Sequence, residues 1–188
     1  FHIARAIDAP GRTVMDRTTA RASLSFDLPE NAELGLPAVS SIVGTVRDWV
    51  DRCGVPEVLV IQGGINDLAS SVPVTDIEAA VSGLSDWLET RDVPTVWMTI
   101  HPLPTAGTYM WVQPARQAYN EWLKAGNVHG IVADCVPYLE DPAHPDTMAP
   151  AYWWQVDIWG TIEGVHPNQA GYDQLGRCIS DALPSTVG

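Results

Sequence analysis

The stretch VPEVLVIQGGIND, Val55 to Asp67, holds the clearest structural signal in the chain. Val58 to Gln62 is a short apolar run rich in β-branched residues, bounded by a proline on one side and two glycines on the other. That combination reads as a buried strand rather than a helical segment. Two glycines at its end let the backbone turn sharply and approach a ligand closely.

Outward from this strand, helical and β-type runs alternate. Downstream, TDIEAAVSGLSDWLETRD opens on a capping box, Thr75 with Glu78, and continues as an amphipathic helix to about Thr90. PTVWMTI (94–100) is a strand, 113–125 a helix carrying Tyr119 and Trp122, and GIVADC (130–135) a strand. A long loop rich in Pro and Trp leads to a last helix over 169–183. Upstream lies a helix from about Pro37 to Arg52, closed by Gly54. Before it, RTVMD (12–16) reads as a short strand, followed by a polar loop. FHIARAID reads as the end of a helix, with Phe1, Ile3, Ala4 and Ile7 on one face.

This order predicts an α/β domain with a mainly parallel sheet. No repeat or linker divides the chain, so residues 1–188 read as a single domain. Sheets of this kind place their chemistry at the carboxyl ends of the strands. GGIND and EGVHPN, the two most polar glycine-containing segments, fall where that rule points.

Composition narrows the function. The chain is 46% apolar and 18% charged, which suits an ordered core. Its formal net charge of -13 argues against nucleic acid or an anionic membrane surface as a partner, since both reward clustered Lys and Arg. No apolar run approaches the ~18 residues needed to span a bilayer. Phe1 is not an initiator methionine, so targeting stays open. Cys53, Cys135 and Cys178 form no CxxC pair, and either one disulfide with a free thiol or three reduced thiols fits.

Two segments can carry chemistry. In GGIND, Asn66 can present its amide as a neutral donor to an oxyanion; Asn66 and Asp67 also suit an ordinary turn and helix cap. In EGVHPN, Glu163 can accept a hydrogen bond from the His166 ring and fix its tautomer, as the third member of a triad does. The alternative is a solvated loop histidine. Pro167 and Asn168 supply a stiff turn and an N-cap for the last helix.

Taken together, Gly64-Ile65-Asn66-Asp67 and Glu163-Gly164-Val165-His166-Pro167-Asn168 resemble the third and fifth blocks of the SGNH (GDSL-type) hydrolase family, G-x-N-D and D-x-x-H followed by P-N and a helix. The ARQAYNEWL helix (115–123) and the strand order are also similar. The resemblance implies a flavodoxin-like three-layer α/β/α sandwich of strand order 2-1-3-4-5. It also implies serine-dependent hydrolysis or transfer of an acyl ester. By carry-over His166 is the general base, Glu163 orients it, Asn66 donates to the oxyanion and Gly64 lets the loop turn. The implied substrate is a small-molecule or carbohydrate acyl ester. No metal or organic cofactor is implied, and the resemblance leans towards a secreted protein.

The pattern departs from the family in three places. Glu163 stands where Asp is usual, and Ser-His-Glu triads exist. Arg21 falls near the glycine of the second block. The first block, a strand ending in G-D-S with the nucleophile, is absent from the 188 residues. Loss of a central strand would leave unpaired ladder groups on its neighbours. The expectation is therefore an N-terminal segment ahead of Phe1, or a partner chain, that completes the sheet and brings the serine. A catalytically inactive binding or structural module is the alternative. Ser23, Ser70 and Ser71 lack the strand-to-helix elbow that exposes a nucleophile.

His101 follows a strand, but its surroundings show no metal-ligand spacing, and a wall-lining or structural role fits it better. TYMWVQ (108–113) and AYWWQVDIW (151–159) suit either an aromatic acyl or sugar pocket or a core under a long loop. Trp153, Trp154 and Trp159 are indistinguishable in this respect. His2, His129 and His144 read as surface or structural residues.

Overall fold

A computed structural model describes residues 4–5, 38–104, 110–153 and 166–184. In chain order the elements are β1 (Ala4–Arg5), α1 (Ala38–Cys53), β2 (Leu59–Ile61), α2 (Ile65–Ala69), α3 (Val74–Glu89) and β3 (Thr95–Met98). There follow α4 (Gln113–Lys124), β4 (Ile131–Ala133), α5 (Val136–Leu139), β5 (Glu140–Asp141), β6 (His144–Met148) and α6 (Gln169–Ala182). A single 3₁₀ turn precedes α4 at Met110–Val112, and another lies at Pro150–Tyr152.

β2, β3 and β4 pair in parallel, Leu59 opposite Thr95 and Val96 opposite Ile131. Successive side chains of a strand point to opposite faces, and here the two faces build two cores. Leu59, Ile61 and Trp97 pack beneath α1, α3 and α4 with Val46, Ile77, Leu84, Leu88, Tyr119 and Leu123. Val60, Val96, Met98 and Ala133 face the other way, against Leu139, Leu175 and Cys178 of α5 and α6. The result is the expected three-layer α/β/α arrangement, and it explains why these strands are continuously apolar.

The first residues depart from expectation. Ala4 and Arg5 are not helical; they pair antiparallel with β2, Ala4 opposite Val60 and Arg5 opposite Leu59. The free edge of β2 presents backbone groups that need partners, and ladder pairing outweighs the weak helical spacing of four apolar residues. β1 thus lies on the flank of β2 that the order 2-1-3-4-5 gives to the first strand, running in the opposite direction. The strand expected over 12–16 lies outside the described residues.

Two further details differ. α3 begins at Val74 with Pro73 as its cap, so Thr75 sits inside the first turn and no side-chain cap forms. The Pro73 carbonyl accepts from Asp76 and Ile77 instead. The loop after β4 is not irregular throughout: it contains α5 and the antiparallel β5–β6 hairpin.

Cys135, at the end of β4, is disulfide-bonded to Cys178 of α6, and Cys53 is free and exposed. Of the two cysteine states compatible with the sequence, this is the one with a single disulfide. Among the described residues no helix is long and apolar enough to cross a membrane.

Candidate active site

Gly63 and Gly64 carry the chain from β2 into α2. Gly64 has φ +105° and is buried, a backbone conformation that side-chain-bearing residues rarely adopt. Its carbonyl accepts from Leu68 at 2.9 Å, which starts α2. This tight turn leaves Asn66 exposed at the carboxyl end of β2 while Asp67 is fully buried. Beneath them Tyr119 of α4 is held protonated. Burial first, then the nearby Asp67 and Glu78 carboxylates, push its phenol well above its usual value.

The carboxyl ends of the three parallel strands are laced together. Gln62 donates to the Thr99 carbonyl at 3.1 Å, Thr99 donates its N–H to Ala133 at 3.0 Å, and Cys135 donates its N–H to the Thr99 hydroxyl at 2.9 Å. From α4, Asn120 grips Ile100 on both sides, accepting from its N–H and donating to its carbonyl, each at 2.8 Å.

His166 is exposed and stands at the start of a hydrogen-bonded ledge. Pro167 bridges to Trp153. Asn168 donates its N–H to the Tyr152 carbonyl at 2.9 Å, and its side chain donates to the carbonyls of Ala151 and Trp153 at 2.9 and 3.3 Å. Its side-chain oxygen accepts from Gly171 N–H at 3.0 Å, so Asn168 is the N-cap of α6, as its position in the sequence implies. Gly171 is needed for contact: a Cβ there would lie 2.3 Å from the Tyr152 carbonyl oxygen. The ledge hangs on the carboxyl edge through Ala149, which donates to Leu139 at 2.8 Å, and Met148, which donates to Leu103 at 3.1 Å.

Gly64 and Asn66 thus lie at the carboxyl end of β2, and His166 lies two residues before the Asn168 cap of α6. Glu163 lies outside the described residues, as do Arg21, Ser23, Trp154, Trp159 and His2. Ser70 and Ser71 are exposed just past α2. His101 is buried, with Nδ1 3.1 Å from the Pro102 carbonyl oxygen, which agrees with a structural role. His129 and His144 are exposed beside Asp86 and Asp141, at 3.2 and 2.9 Å. The aromatic stretches divide: Trp153 closes the core beneath α6, whereas Trp111 is 56% exposed.

Sequence reasoning missed one charged cluster. Arg116 is wholly buried and paired with Asp146 of β6. The available signal was its place in α4: Val112, Arg116, Tyr119 and Leu123 share the buried stripe, where a charged side chain requires a partner.

The sequence profile of the GDSL-like Lipase/Acylhydrolase family matches residues 9–174. No curated protein matches the chain. Among solved structures, the chain is similar to a GDSL-like lipase from Bacteroides thetaiotaomicron, with TM-score 0.55 and 16% identity over 77% of this chain and 69% of that one. It is similar to the OSK domain of Drosophila Oskar, with TM-score 0.60 and 16% identity over 75% and 69%. A variant of an acetyl-xylooligosaccharide esterase from Geobacillus stearothermophilus gives TM-score 0.54 and 18% identity over 78% and 70%. At these identities the structures speak for the fold, and the profile match speaks for the family. Spanning most of the sequence and both the G-x-N-D and H-P-N segments, that match shows that the chain belongs to the GDSL-like lipase/acylhydrolase family, a family of ester hydrolases.

Proposed function

We propose that this chain supplies the base and the oxyanion donor of a serine-dependent acyl ester hydrolase. The observation that carries the reading is the ledge at His166. An exposed histidine sits directly before a proline and an asparagine cap that is tied to Ala151 and to the start of α6. A base must hold its position while a proton moves, and a ledge pinned by four hydrogen bonds meets that need.

In this reading a serine hydroxyl attacks the acyl carbon and His166 removes its proton. The same proton then passes to the departing alcohol. Glu163 accepts a hydrogen bond from the other ring nitrogen and stabilises the imidazolium. Asn66, on the turn that Gly64 permits, donates its amide to the oxyanion of the tetrahedral intermediate. A water, or a second alcohol in the case of transfer, resolves the acyl-enzyme by the reverse sequence. The nucleophile in this reading is the serine of the family's first block. The substrate class is a small-molecule or carbohydrate acyl ester, whose neutral carbonyl requires no cationic surface.

The test is hydrolysis of p-nitrophenyl acetate by the full-length protein. Asn66→Ala is expected to lower kcat by about 10²–10³-fold with little change in KM, the usual cost of one oxyanion donor. Undiminished kcat in that variant would remove Asn66 from the mechanism.

A further inference from the structure

We infer that Arg116 is a positioning residue for the proposed His166 ledge and acts through Asp146; the catalytic part of this inference depends on the His166 reading above. Arg116 is fully buried in α4, and a guanidinium stays charged wherever it is placed. Each side of its fork is used. Nη2 pairs with the Asp146 carboxylate, Nη1 donates to the Ile100 carbonyl at 2.9 Å, and Nε donates to Gln113 Oε1 at 2.9 Å. One side chain therefore joins the carboxyl end of β3 to the β5–β6 hairpin.

Asp146 is held in a conformation uncommon for residues other than glycine, asparagine and aspartate. Its φ is +60°, the left-handed region, inside a strand. Four neighbours maintain it: Arg116 and Gln117 bind its carboxylate, Gln113 donates to its carbonyl, and its own N–H donates to Glu140. Two and three residues on, Met148 and Ala149 make the backbone bonds to Leu103 and Leu139, and Ala151 to Trp153 then carry Pro167 and Asn168. Every link from Arg116 to the residue beside His166 is a hydrogen bond or a short run of chain. A hairpin of two- and five-residue strands has little stability of its own, so its placement is set by this clamp.

A role in general stability would weaken the whole fold, whereas a positioning role is local. The test therefore combines kinetics with amide hydrogen exchange on the full-length protein. Arg116→Lys keeps the charge and loses the fork. It is expected to lower kcat for p-nitrophenyl acetate by about 10–100-fold with KM nearly unchanged, the scale of a small misplacement at a reacting centre. Amide exchange at Met148 and Asn168 should quicken at least about tenfold while Val60 and Val96 stay protected. Asp146→Asn, which tolerates the left-handed backbone but removes the charge that pairs with Arg116, should change both measurements in the same direction as Arg116→Lys.

If Arg116→Lys fails to fold, the double variant Gln113→Ala, Gln117→Ala decides. It strips the amide donors from Asp146 and should give smaller changes of the same sign. Unchanged exchange at Met148 and Asn168, or a uniform rise that includes Val60 and Val96, would overturn the inference. So would faster ledge exchange with undiminished kcat, provided His166→Ala is inactive in the same assay. If His166→Ala is fully active, the His166 reading itself fails, and the exchange pattern alone judges the clamp.

Discussion

The side chain of Asn168 donates to the Ala151 carbonyl at 2.9 Å while its oxygen caps α6 through Gly171 at 3.0 Å. One residue thus bonds across a sequence separation of 17 and starts the last helix. His166 stands two residues before this junction, so the stability of the junction and the placement of the proposed base are linked.

Asn168→Ala removes the cap and both donated bonds. A lost cap costs about 1–2 kcal/mol, and thermal unfolding should show a Tm lowered by several degrees. Asn168→Asp keeps the acceptor for Gly171 and loses the donors, so its Tm should fall between those of the two proteins. Equal Tm values for Asn168→Ala and wild type would contradict the junction.

At Gly171 an added methyl meets the Tyr152 carbonyl oxygen at 2.3 Å and Pro167 Cβ at 2.7 Å. Gly171→Ala should therefore destabilise by about 1–3 kcal/mol in urea unfolding and lower esterase kcat as α6 moves from the ledge. Gly176, on the same helix, has nothing within 4 Å of an added Cβ, and Gly176→Ala should stabilise by about 0.4–1 kcal/mol. Similar effects at the two positions would show that Gly171 does not hold the ledge.

The Cys135–Cys178 disulfide closes a sequence separation of 43 and ties the end of β4 to α6. Restriction of the unfolded chain by such a loop is worth about 4 kcal/mol. Replacing both cysteines by alanine should lower the stability measured in urea by that order. A loss under about 1 kcal/mol would mean that the crosslink is energetically idle.

Tyr119 gives a pH signature. Its folded-state pKa is raised by burial, with Asp67 and Glu78 adding to it, above the ordinary tyrosine value of about 10. Below that value both states are protonated and the group contributes no slope. Above it the unfolded chain releases a proton that the folded protein retains, so stability falls by about 1.4 kcal/mol per pH unit until the folded phenol also ionises. Tyr119→Phe should flatten this alkaline decline in denaturant unfolding at pH 10–11. An unchanged slope would show that Tyr119 is not the group responsible.

Much of this architecture was legible in the sequence because burial writes a period. Leu59 to Ile61 and Val96 to Met98 are apolar on both faces, and the helices end near the expected residues. Asn168 was legible as a cap because an asparagine after proline and before a helical period has few other uses. The two-residue β1 was not, since pairing so short leaves no period and the spacing of Phe1, Ile3, Ala4 and Ile7 imitates a helix. Nor was the β5–β6 hairpin, whose sequence HPDTM is not strand-like and whose Asp146 pairs with Arg116, 30 positions away. The pairing of Cys135 with Cys178 needed three dimensions, because three cysteines allow three pairings.

The proposed catalytic role of His166 is tested most directly by the rate at which a fluorophosphonate labels the full-length protein, with and without His166. Covalent labelling needs an activated serine and therefore its base. Wild type is expected to label rapidly on one serine, and His166→Ala to lose labelling by at least about 10³-fold while keeping the wild-type fold. Labelling of His166→Ala at the wild-type rate would contradict the assignment of His166 as the base.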